Sequence, residues 1–403
     1  MDFINALFGN DSGLQLFNLI DAIIFLFVAI AVLYLFIFAL KSLGDKITKY
    51  PSTDQFYSYA VIIPAYNEDS VILNSVKSFK KQNYPTEKYD IFVATRHMSD
   101  ETISALTQEG VTVIPILEPK TSKTRALQLA NEYIEQNQLK YDIAVILDAN
   151  NLVDPIFLKK INDAFYAGCS AVQTHRVAKN ATSSIAILDA VSEEINNSIF
   201  RKGHTQLGLS SSLIGSGMAF DYDLFNKCIR EIKMGGFDKQ MEVLLLKSNI
   251  YIEYLSDVYT YDEKVNKSSQ FYSQRKRWVS SQFSSFYFGL LSLPRAILSG
   301  NVDYCNKLIQ WAMPPRVILL GLSLLFAVLL TLLDVSNSFA TILSIKWWCL
   351  FILLLLTFSM AVPDYLINSK LVKATIKIPL LFLMMFANLF RVFSKNNRED
   401  EKK

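Results

Sequence analysis

The run Gln274-Arg275-Lys276-Arg277-Trp278 places an amide, three cations and an indole within five consecutive residues. At helical spacing Gln274 lies one turn before Arg277 and Trp278, so these three side chains share one face. Such a face can bind a phosphate ester through its guanidinium and stack its indole on a sugar. The same residues would suit a basic helix at a membrane surface, with Trp278 as an interfacial anchor. The five residues alone leave both interpretations open.

Polar clusters follow three of the predicted strands in the first half of the chain. The apolar runs YAVIIPA, YDIFVAT, VTVIPIL and YDIAVILDA alternate with segments of helical periodicity, which predicts a parallel, doubly wound sheet. Ligands bind such sheets beyond the carboxyl ends of the strands. The clusters at these ends are Asn67–Asp69, Thr95–Arg96 and Asp148–Asn151. We therefore expect a ligand site at this edge of the sheet.

The pattern is mixed after Pro155. AVQTHRV and IYIEYL are predicted strands, and SSIAILDAVSEEINNSIFRKG is a predicted amphipathic helix. The small residues of SSSLIGSGMAF predict a loop, and Asp238–Ser248 is a predicted helix.

The composition excludes several classes of function. The 403 residues carry a net charge of only +3, which does not suggest binding to nucleic acid. The four cysteines are scattered, which fits a reducing compartment, and the three histidines form no metal-binding pair. Hydrophobic residues make up 51% of the chain and are concentrated at its two ends. This distribution predicts membrane segments around a soluble middle.

The N-terminal apolar run, Leu19–Leu40, is long enough to span a bilayer, and no signal-peptide cleavage site follows it. Lys41, Lys46 and Lys49 come after it, whereas the flank before it carries Asp2 and Asp11 and no basic residue. By the positive-inside rule we expect the N-terminus outside and the following domain in the cytoplasm, as in an integral protein of a bacterial inner or plasma membrane.

Three further apolar runs follow the Gln274–Trp278 stretch. Val317–Leu333 and Trp347–Val362 are long enough to span, whereas Ile378–Leu389 is shorter and suits an interfacial helix at least as well as a crossing. We expect three spans with interfacial helices, and a fourth span stays an alternative.

The motifs PAYNE (Pro64–Glu68), DAN (Asp148–Asn150), FDKQME and QRKRW follow one another in this order between apolar helices. This arrangement resembles the membrane-embedded family-2 glycosyltransferases, the group that includes cellulose, chitin, hyaluronan and poly-N-acetylglucosamine synthases. The resemblance extends from about Tyr59 to the tail. It implies an α/β GT-A fold with a Rossmann-like, mostly parallel sheet, flanked by transmembrane helices. It also implies inverting transfer from a nucleotide sugar, assisted by Mg²⁺ or Mn²⁺.

Four segments follow from this resemblance. We expect an N-terminal transmembrane anchor in residues 1–45 and a GT-A domain in residues 55–265. The QxxRW motif and interfacial helices would occupy residues 266–312, and transmembrane or interfacial helices with a basic tail would occupy residues 313–403.

The resemblance also implies roles for residues at the strand ends. The nucleotide would be bound by Pro64, Tyr66, Asn67 and Glu68, and Lys123 matches a lysine that the family places near the nucleotide. The structural alternatives are an ordinary polar loop for Pro64–Glu68 and a solvated helix start for Lys123.

Asp148 and Asn150 would bind the metal together with the donor diphosphate, with Asn150 in place of the usual second Asp. A turn formed by the side chains of the same segment is the structural alternative. At the end of the second strand the family has an Asp that contacts the base, but this chain has Thr95 or Arg96, which leaves the base open. His97 and His175 are assigned no role.

Asp238 matches the general base of the family's TED motif, although Phe237 replaces the preceding Glu. Asp238 would also suit the N-cap of a helix, and both roles are compatible. Gln274, Arg277 and Trp278 would position the diphosphate and the acceptor sugar. Gly215–Gly217 would let the acceptor approach the backbone, or would form a plain flexible loop.

Our leading hypothesis is a glycosyltransferase that transfers a sugar from a nucleotide-sugar donor to a growing polysaccharide or glycan at the cytoplasmic face. A UDP-sugar is the leading candidate donor. Transfer to a lipid-linked acceptor is a related possibility, and a partner subunit is compatible with either. The alternative is a degenerate, non-catalytic subunit that binds nucleotide sugar or glycan. The missing carboxylates favour this alternative, whereas the presence of Asp148, Asp238, Gln274, Arg277 and Trp278 favours the enzyme.

Overall fold

The structure, a computed structural model, describes residues 11–44, 48–118, 121–233, 236–264, 268–334 and 340–392. Asp2, Lys46 and the charged tail after Val392, which entered the topology prediction, lie outside these residues. The strands are β1 (Tyr59–Tyr66), β2 (Tyr89–Arg96), β3 (Thr112–Pro115), β4 (Ile143–Ile146), β5 (Leu152–Val153), β6 (Ala171–Ala178), β7 (Met218–Asp221) and β8 (Glu253–Asp262).

The helices fall into a group within the domain and a group at the two ends of the chain. The domain contains α2 (Ile72–Phe79), α3 (Asp100–Gln108), α4 (Lys123–Gln136), α5 (Phe157–Tyr166), α6 (Ser184–Asn196), α7 (Gly203–Thr205), α8 (Tyr222–Glu231) and α9 (Phe237–Lys247). The ends contain α1 (Asp11–Ser42), α10 (Ser268–Leu290), α11 (Leu293–Leu298), α12 (Val302–Ala312), α13 (Arg316–Asp334), α14 (Ala340–Ala361), α15 (Ser369–Thr375) and α16 (Ile378–Val392).

One mixed sheet organises the domain, with the strand order β3-β2-β1-β4-β7-β6-β8-β5. The first four strands in this order are parallel, as the alternation of strands and helices predicts. Apolar side chains on the two faces of the sheet form two separate cores, one against α4, α8 and α9 and the other against α2 and α5. The carboxyl ends of β1, β2 and β4 therefore meet at one edge, where the polar clusters were expected.

The structure differs from the predicted strands at β5 and β7. β7 lies antiparallel between β4 and β6, in a segment that we expected to be wholly loop. Its few residues follow two glycines, so the strand is too short to show alternation. It pairs because the open edge of β4 supplies unpaired backbone groups.

Side-chain caps set where several helices begin. Ser99, Ser122 and Ser183 accept hydrogen bonds from the backbone N–H groups of the first turns of α3, α4 and α6. The helix predicted after β1 begins only at Ile72, because residues 67–71 form the turn that leaves the strand. The predicted helix after β6 continues as a π-helical turn over Asn197–Lys202.

Three helices in the described part of the chain are long and apolar enough to cross a membrane: Gln15–Ser42, Arg316–Leu333 and Leu343–Ala361. The apolar segment Ile378–Ala387 is shorter, as expected for an interfacial helix. The three long helices share a core with Ile195 and Ile199 of the domain. The domain and the apolar helices are therefore parts of one packed molecule.

Candidate functional site

The carboxylate of Asp148 lies at the carboxyl end of β4 and forms an ion pair with Lys123, the first residue of α4. The Lys123 ammonium also donates a hydrogen bond of 2.7 Å to the backbone oxygen of Gly215. The predicted turn is also present, because the Asn151 side chain accepts a 2.9 Å hydrogen bond from the Asp148 backbone N–H. The turn thus fixes the backbone that presents the Asp148 carboxylate.

Burial and neighbouring charges shift the pKa values of two carboxyl groups at this edge in opposite directions. Partial burial raises the pKa of Asp148, but the charges of Lys123 and Arg176 outweigh it and lower the net pKa below the ordinary value. The pKa of Glu68 is raised, by burial first and then by the negative charges of Asp148 and Glu263. Asp148 is therefore a stable anion, whereas Glu68 is the carboxyl group most easily protonated of the two.

Asp148 and Asn150 offer one carboxylate and one amide oxygen, which are the hard ligands that Mg²⁺ and Mn²⁺ prefer. Within the described residues no group of three or more His, Cys, Asp or Glu side chains could hold a metal ion. Asp148 carries the single negative charge of these two residues, and Lys123 already offsets it. The donor set therefore fits a cation that shares its coordination shell with a diphosphate, rather than a cation held by protein alone.

An aromatic and cationic cluster forms where β1 and β2 end. The Tyr66 ring, 58% exposed, lies 5.5 Å from the Arg96 guanidinium and stands edge-on to the His97 ring at 5.3 Å. Asn67 and His97 both have positive φ angles, of 55° and 53°, and the Asn67 N–H donates to the Arg96 oxygen at 3.1 Å. Exposed rings beside a cation can stack on a nucleobase.

The sequence missed His97 and left Arg96 open. Both residues lie at the end of β2, beside Asn67 and Glu68 at the end of β1. This position at neighbouring strand ends could have identified them from the sequence. Pro64 lies within β1 opposite Ala94, two residues before the exposed end of the strand.

Asp238 lies in the first turn of α9, where its charge favours the helix dipole. The alternative role of Asp238 as N-cap is wrong, because Gly236 occupies that position with a φ of 86°. The Lys239 ammonium lies 3.8 Å from Asp238 and 3.5 Å from the backbone oxygen of Leu213. Lys239 thus ties the start of α9 to the loop Leu213–Gly217.

The loop Leu213–Gly217 joins the two carboxylate centres. Lys123, paired with Asp148, binds Gly215 of this loop, and Lys239 beside Asp238 approaches Leu213. The loop is not plainly flexible. A Cβ atom on Gly217 would lie 2.5 Å from Thr174 Oγ1, so packing against β6 requires the glycine.

Gln274, Arg277 and Trp278 lie on α10 as predicted, but they differ in surroundings. Gln274 is partly buried and its Oε1 has no hydrogen-bond partner in the described structure, whereas Arg277 is exposed. The inward cation is Arg275, which pairs with Asp189 of α6 and lies 4.8 Å from the Trp278 ring. No contact joins these side chains to Asp148 in the part of the chain that the structure describes.

The face of α10 that carries Gln274 and Trp278 nevertheless points toward the start of α9. Ser281 is two turns beyond Gln274 on the same face, and a Cβ atom on Gly236 would lie 2.0 Å from Ser281 Oγ. Since Gly236 begins α9, α10 packs close to Asp238.

A buried charge network lies beneath Asp148. Arg176 of β6 binds Glu193 at 2.9 Å, and Lys264 binds both Glu193 and Asp262, at 3.4 Å and 3.1 Å. Asn151 connects this network to the Asp148 turn by a 3.3 Å hydrogen bond to Asp262. The signal in the sequence was an arginine inside the apolar strand AVQTHRV, which must have a partner when it is buried.

Comparisons with known proteins agree with this architecture. The model of the family described as "Glycosyltransferase like family 2" matches residues 57–281, more than half of the chain. No curated protein matches the sequence at a significant level.

Solved structures are similar to this chain at low sequence identity. The mannosyltransferase PcManGT from Pyrobaculum calidifontis, in complex with GDP-Man and Mn²⁺, is 17% identical, with a TM-score of 0.52 over 82% of this chain and 98% of that one. S. aureus TarS 1-349, in complex with UDP-GlcNAc, is 15% identical, with a TM-score of 0.41 over 83% of this chain and 89% of that one.

The sheet order, the ligand edge and the family match together confirm the predicted GT-A fold and the prediction of an enzyme of this class. The chain belongs to the glycosyltransferase-like family 2 and is a glycosyltransferase.

Proposed function

We propose that this glycosyltransferase transfers a sugar from a nucleoside-diphosphate donor to a polysaccharide or glycan, with inversion at the anomeric carbon. A UDP-sugar is the leading candidate donor. The single observation that carries the proposal is the placement of Asp148 and Asp238 at two ends of the loop Leu213–Gly217. A transferase of this kind needs one centre for the diphosphate and a separate carboxylate for the acceptor.

The donor would lie across the carboxyl ends of β1, β2 and β4. Tyr66, Arg96 and His97 offer a stacking surface for the base, and Lys123 is placed to exchange its contact with Asp148 for one with the diphosphate. Mg²⁺ or Mn²⁺, bound with Asp148 and Asn150, would neutralise the charge that develops on the leaving nucleotide. PcManGT, which shares the fold, was solved with Mn²⁺.

Asp238 would act as the general base. It accepts the proton of the acceptor hydroxyl while the new glycosidic bond forms and the bond from the anomeric carbon to the phosphate oxygen breaks. The Lys239 ammonium lies 3.8 Å from the Asp238 carboxylate and 3.5 Å from the backbone oxygen of Leu213, so it lies between Asp238 and the loop. Trp278 and Gln274, on the face of α10 that packs toward α9, would position the acceptor sugar.

The membrane-embedded, polysaccharide-forming type is also our proposal. Three apolar helices of spanning length pack against the domain, and the ends of α1 and α14 that face the domain bring it to the membrane surface. Lys41, Lys49 and Lys370 lie on the domain side, which favours the cytoplasmic face. We assign residues 55–265 to the GT-A domain, residues 266–312 to the acceptor side, and the ends of the chain to membrane attachment.

The decisive experiment measures nucleotide release by the detergent-purified full chain. UDP-, GDP- and dTDP-sugars are offered with and without Mn²⁺ or Mg²⁺, and oligosaccharides or membrane lipids serve as acceptors. We expect metal-dependent release from one donor. Asp148→Ala should weaken nucleotide binding, whereas Asp238→Asn should lower turnover by about 10²–10⁴-fold and leave nucleotide binding unchanged.

Asp223→Asn is the matched control, because Asp223 is an exposed carboxylate in the first turn of α8. It should retain full activity. Release from no donor, or full turnover in Asp238→Asn, would contradict the proposed mechanism.

A further inference from the structure

Two adjoining cavities lie between the domain and the apolar helices, away from the Asp148 edge. Their volumes are about 350 Å³ and about 140 Å³, and Lys202, Tyr254 and Ser256 line both. His175 faces the larger cavity, whereas its neighbour Arg176 faces the charge network beneath Asp148. Because successive side chains of a strand point to opposite faces, β6 separates these cavities from the donor site.

The larger cavity lies where two candidate membrane spans end. Ser42 is the last residue of α1, and Met360–Pro363 include the end of α14; both line this cavity. If these helices cross the bilayer, as the proposed function states, the cavity lies at the depth of the lipid headgroups.

The two cavities differ in polarity in the way that the two parts of a lipid differ. Leu43, Met360, Val362 and Pro363, at or just beyond the ends of α1 and α14, form an apolar part of the lining of the larger cavity. The smaller cavity is polar and is lined by Thr48, Thr205 and Gln206 in addition to the three shared residues. An amphipathic molecule would therefore place its head in the smaller cavity and its apolar part along the helix ends.

Two hydrogen-bond donors in the shared wall have no partner. The Tyr254 hydroxyl is buried without a hydrogen bond in the described structure, and the residue is only 5% exposed. The Lys202 ammonium makes neither a hydrogen bond nor an ion pair with any described residue. A buried hydroxyl without an acceptor, such as that of Tyr254, is costly, and nearly all such groups in proteins are satisfied by some partner. Lys202 is only partly buried, so its ammonium is a cation that a bound anion can approach.

The nearby carboxylate is already occupied. Glu194 pairs with His175 at 3.1 Å and accepts a hydrogen bond of 3.0 Å from the Tyr365 hydroxyl. A phosphate group has several acceptor oxygens and a negative charge, so it can satisfy Lys202 and Tyr254 together. The site therefore suits an anion better than a cation.

We propose that this cleft binds an anionic phospholipid, with its phosphate between Lys202 and Tyr254 and its acyl chains along Leu43 and Met360. The inference rests on the proposed membrane insertion of α1 and α14 and goes beyond the transfer reaction. Such a lipid would attach the domain to the bilayer at a fixed place.

The test is native mass spectrometry of the full chain in detergent, titrated with phosphatidylglycerol, phosphatidylcholine or soluble glycerol phosphate. We expect preferential binding of phosphatidylglycerol. Lys202→Met should weaken it about tenfold, and Tyr254→Phe about threefold. Lys77→Met is the control, because Lys77 is an exposed lysine of α2 that lines neither cavity. This variant should bind the lipid as the unmodified protein does.

A thermal measurement separates lipid binding from a purely structural role. Without lipid, Tyr254→Phe should melt at the same or a higher temperature, because the variant lacks an unpaired buried hydroxyl. With phosphatidylglycerol, the rise in melting temperature should be smaller than in the unmodified protein.

Unchanged lipid binding in Lys202→Met would overturn the proposal. Glycerol phosphate that binds as tightly as the lipid would also overturn it, since the site would then take a free phosphate. Both readouts measure lipid binding rather than sugar transfer, so their failure leaves the proposed transferase reaction to its own test.

Discussion

Glu68 is a carboxyl group whose surroundings oppose its ionisation. Burial and the charges of Asp148 and Glu263 raise its pKa in the folded chain. A raised carboxyl pKa contributes stability at pH values below the ordinary pKa, and this contribution is lost as the pH rises through the folded-state pKa. At neutral pH the ionised Glu68 therefore destabilises the fold.

Glu68→Gln removes this ionisation. We expect its apparent Tm at pH 7 to rise by about 1–3 °C, and the difference to fade as the pH falls toward 4. Nucleotide binding should change as well, because Glu68 lies at the strand ends where we propose that the donor binds. Differential scanning fluorimetry from pH 4 to pH 8 measures the first effect.

Asp69 provides a control of opposite sign. Hydrogen bonds from Thr102 and Ser99 lower its pKa, so its contribution is present at neutral pH and is lost as the pH falls through that lowered pKa. Asp69→Asn should therefore lower the Tm at pH 7. A Tm change of the same sign in both variants would contradict the assignment.

At the level of single residues, the sequence predicted positions better than contacts. Asp148 and Glu68 could be placed at one edge because strand ends in a parallel sheet meet there. The pairing of Lys123 with Asp148 could not, since it depends on how α4 packs across the sheet, against β1 and β2. The inward cation of α10 is Arg275 rather than Arg277, because Asp189 comes from a helix that is distant in the sequence.

Among the secondary-structure elements, the approach of α10 to α9 depends on Gly236. Its φ of 86° is strained for any other residue, and an added Cβ atom would meet Ser281 Oγ at 2.0 Å. Gly236→Ala should cost about 1–3 kcal/mol and displace the first turn of α9, which carries Asp238. We therefore expect turnover to fall about tenfold or more, while nucleotide binding is retained. Steady-state kinetics and thermal unfolding measure these effects.

Gly110→Ala is the control that distinguishes the backbone strain of a positive φ from the steric clash of the added Cβ atom. Gly110 closes α3 with a φ of 71°, but nothing lies within 4 Å of the added Cβ atom. This variant should lose only about 1 kcal/mol and keep its turnover. Equal kinetic loss in both variants would show that the contact with Ser281 does not position α9.

The long, strongly patterned elements were predictable, and the short ones were not. β1, β2 and β6 are buried β-branched runs bounded by turns, and α1 is a long apolar helix, so local sequence determines them. β7 forms only because β4 and β6 lie on either side of it, and β5 pairs with β8 through two residues. Such pairings come from tertiary contacts that a local pattern does not contain.

In the molecule as a whole, the N-terminal and C-terminal apolar helices are joined by a charged contact. Asp21 of α1, only 2% exposed, forms an ion pair with Lys346 of α14 and accepts a 2.8 Å hydrogen bond from the Trp347 indole. Ionisable residues inside apolar helices are costly and are kept when they face a partner. This contact closes the helices around the core that also contains Ile195 and Ile199 of the domain.

Replacing Asp21 alone should destabilise the protein more than replacing Asp21 and Lys346 together. Asp21→Ala leaves the Lys346 charge and the Trp347 donor without an acceptor, and we expect a loss of about 3 kcal/mol, seen as a fall in apparent Tm of about 5–10 °C. The double variant Asp21→Ala, Lys346→Met should recover a substantial part, because no unpaired charge remains. Thermal unfolding of the detergent-solubilised chain measures both. A double variant no more stable than Asp21→Ala would show that the pair does not hold α1 against α14, and the attachment of the domain would then depend on apolar packing alone.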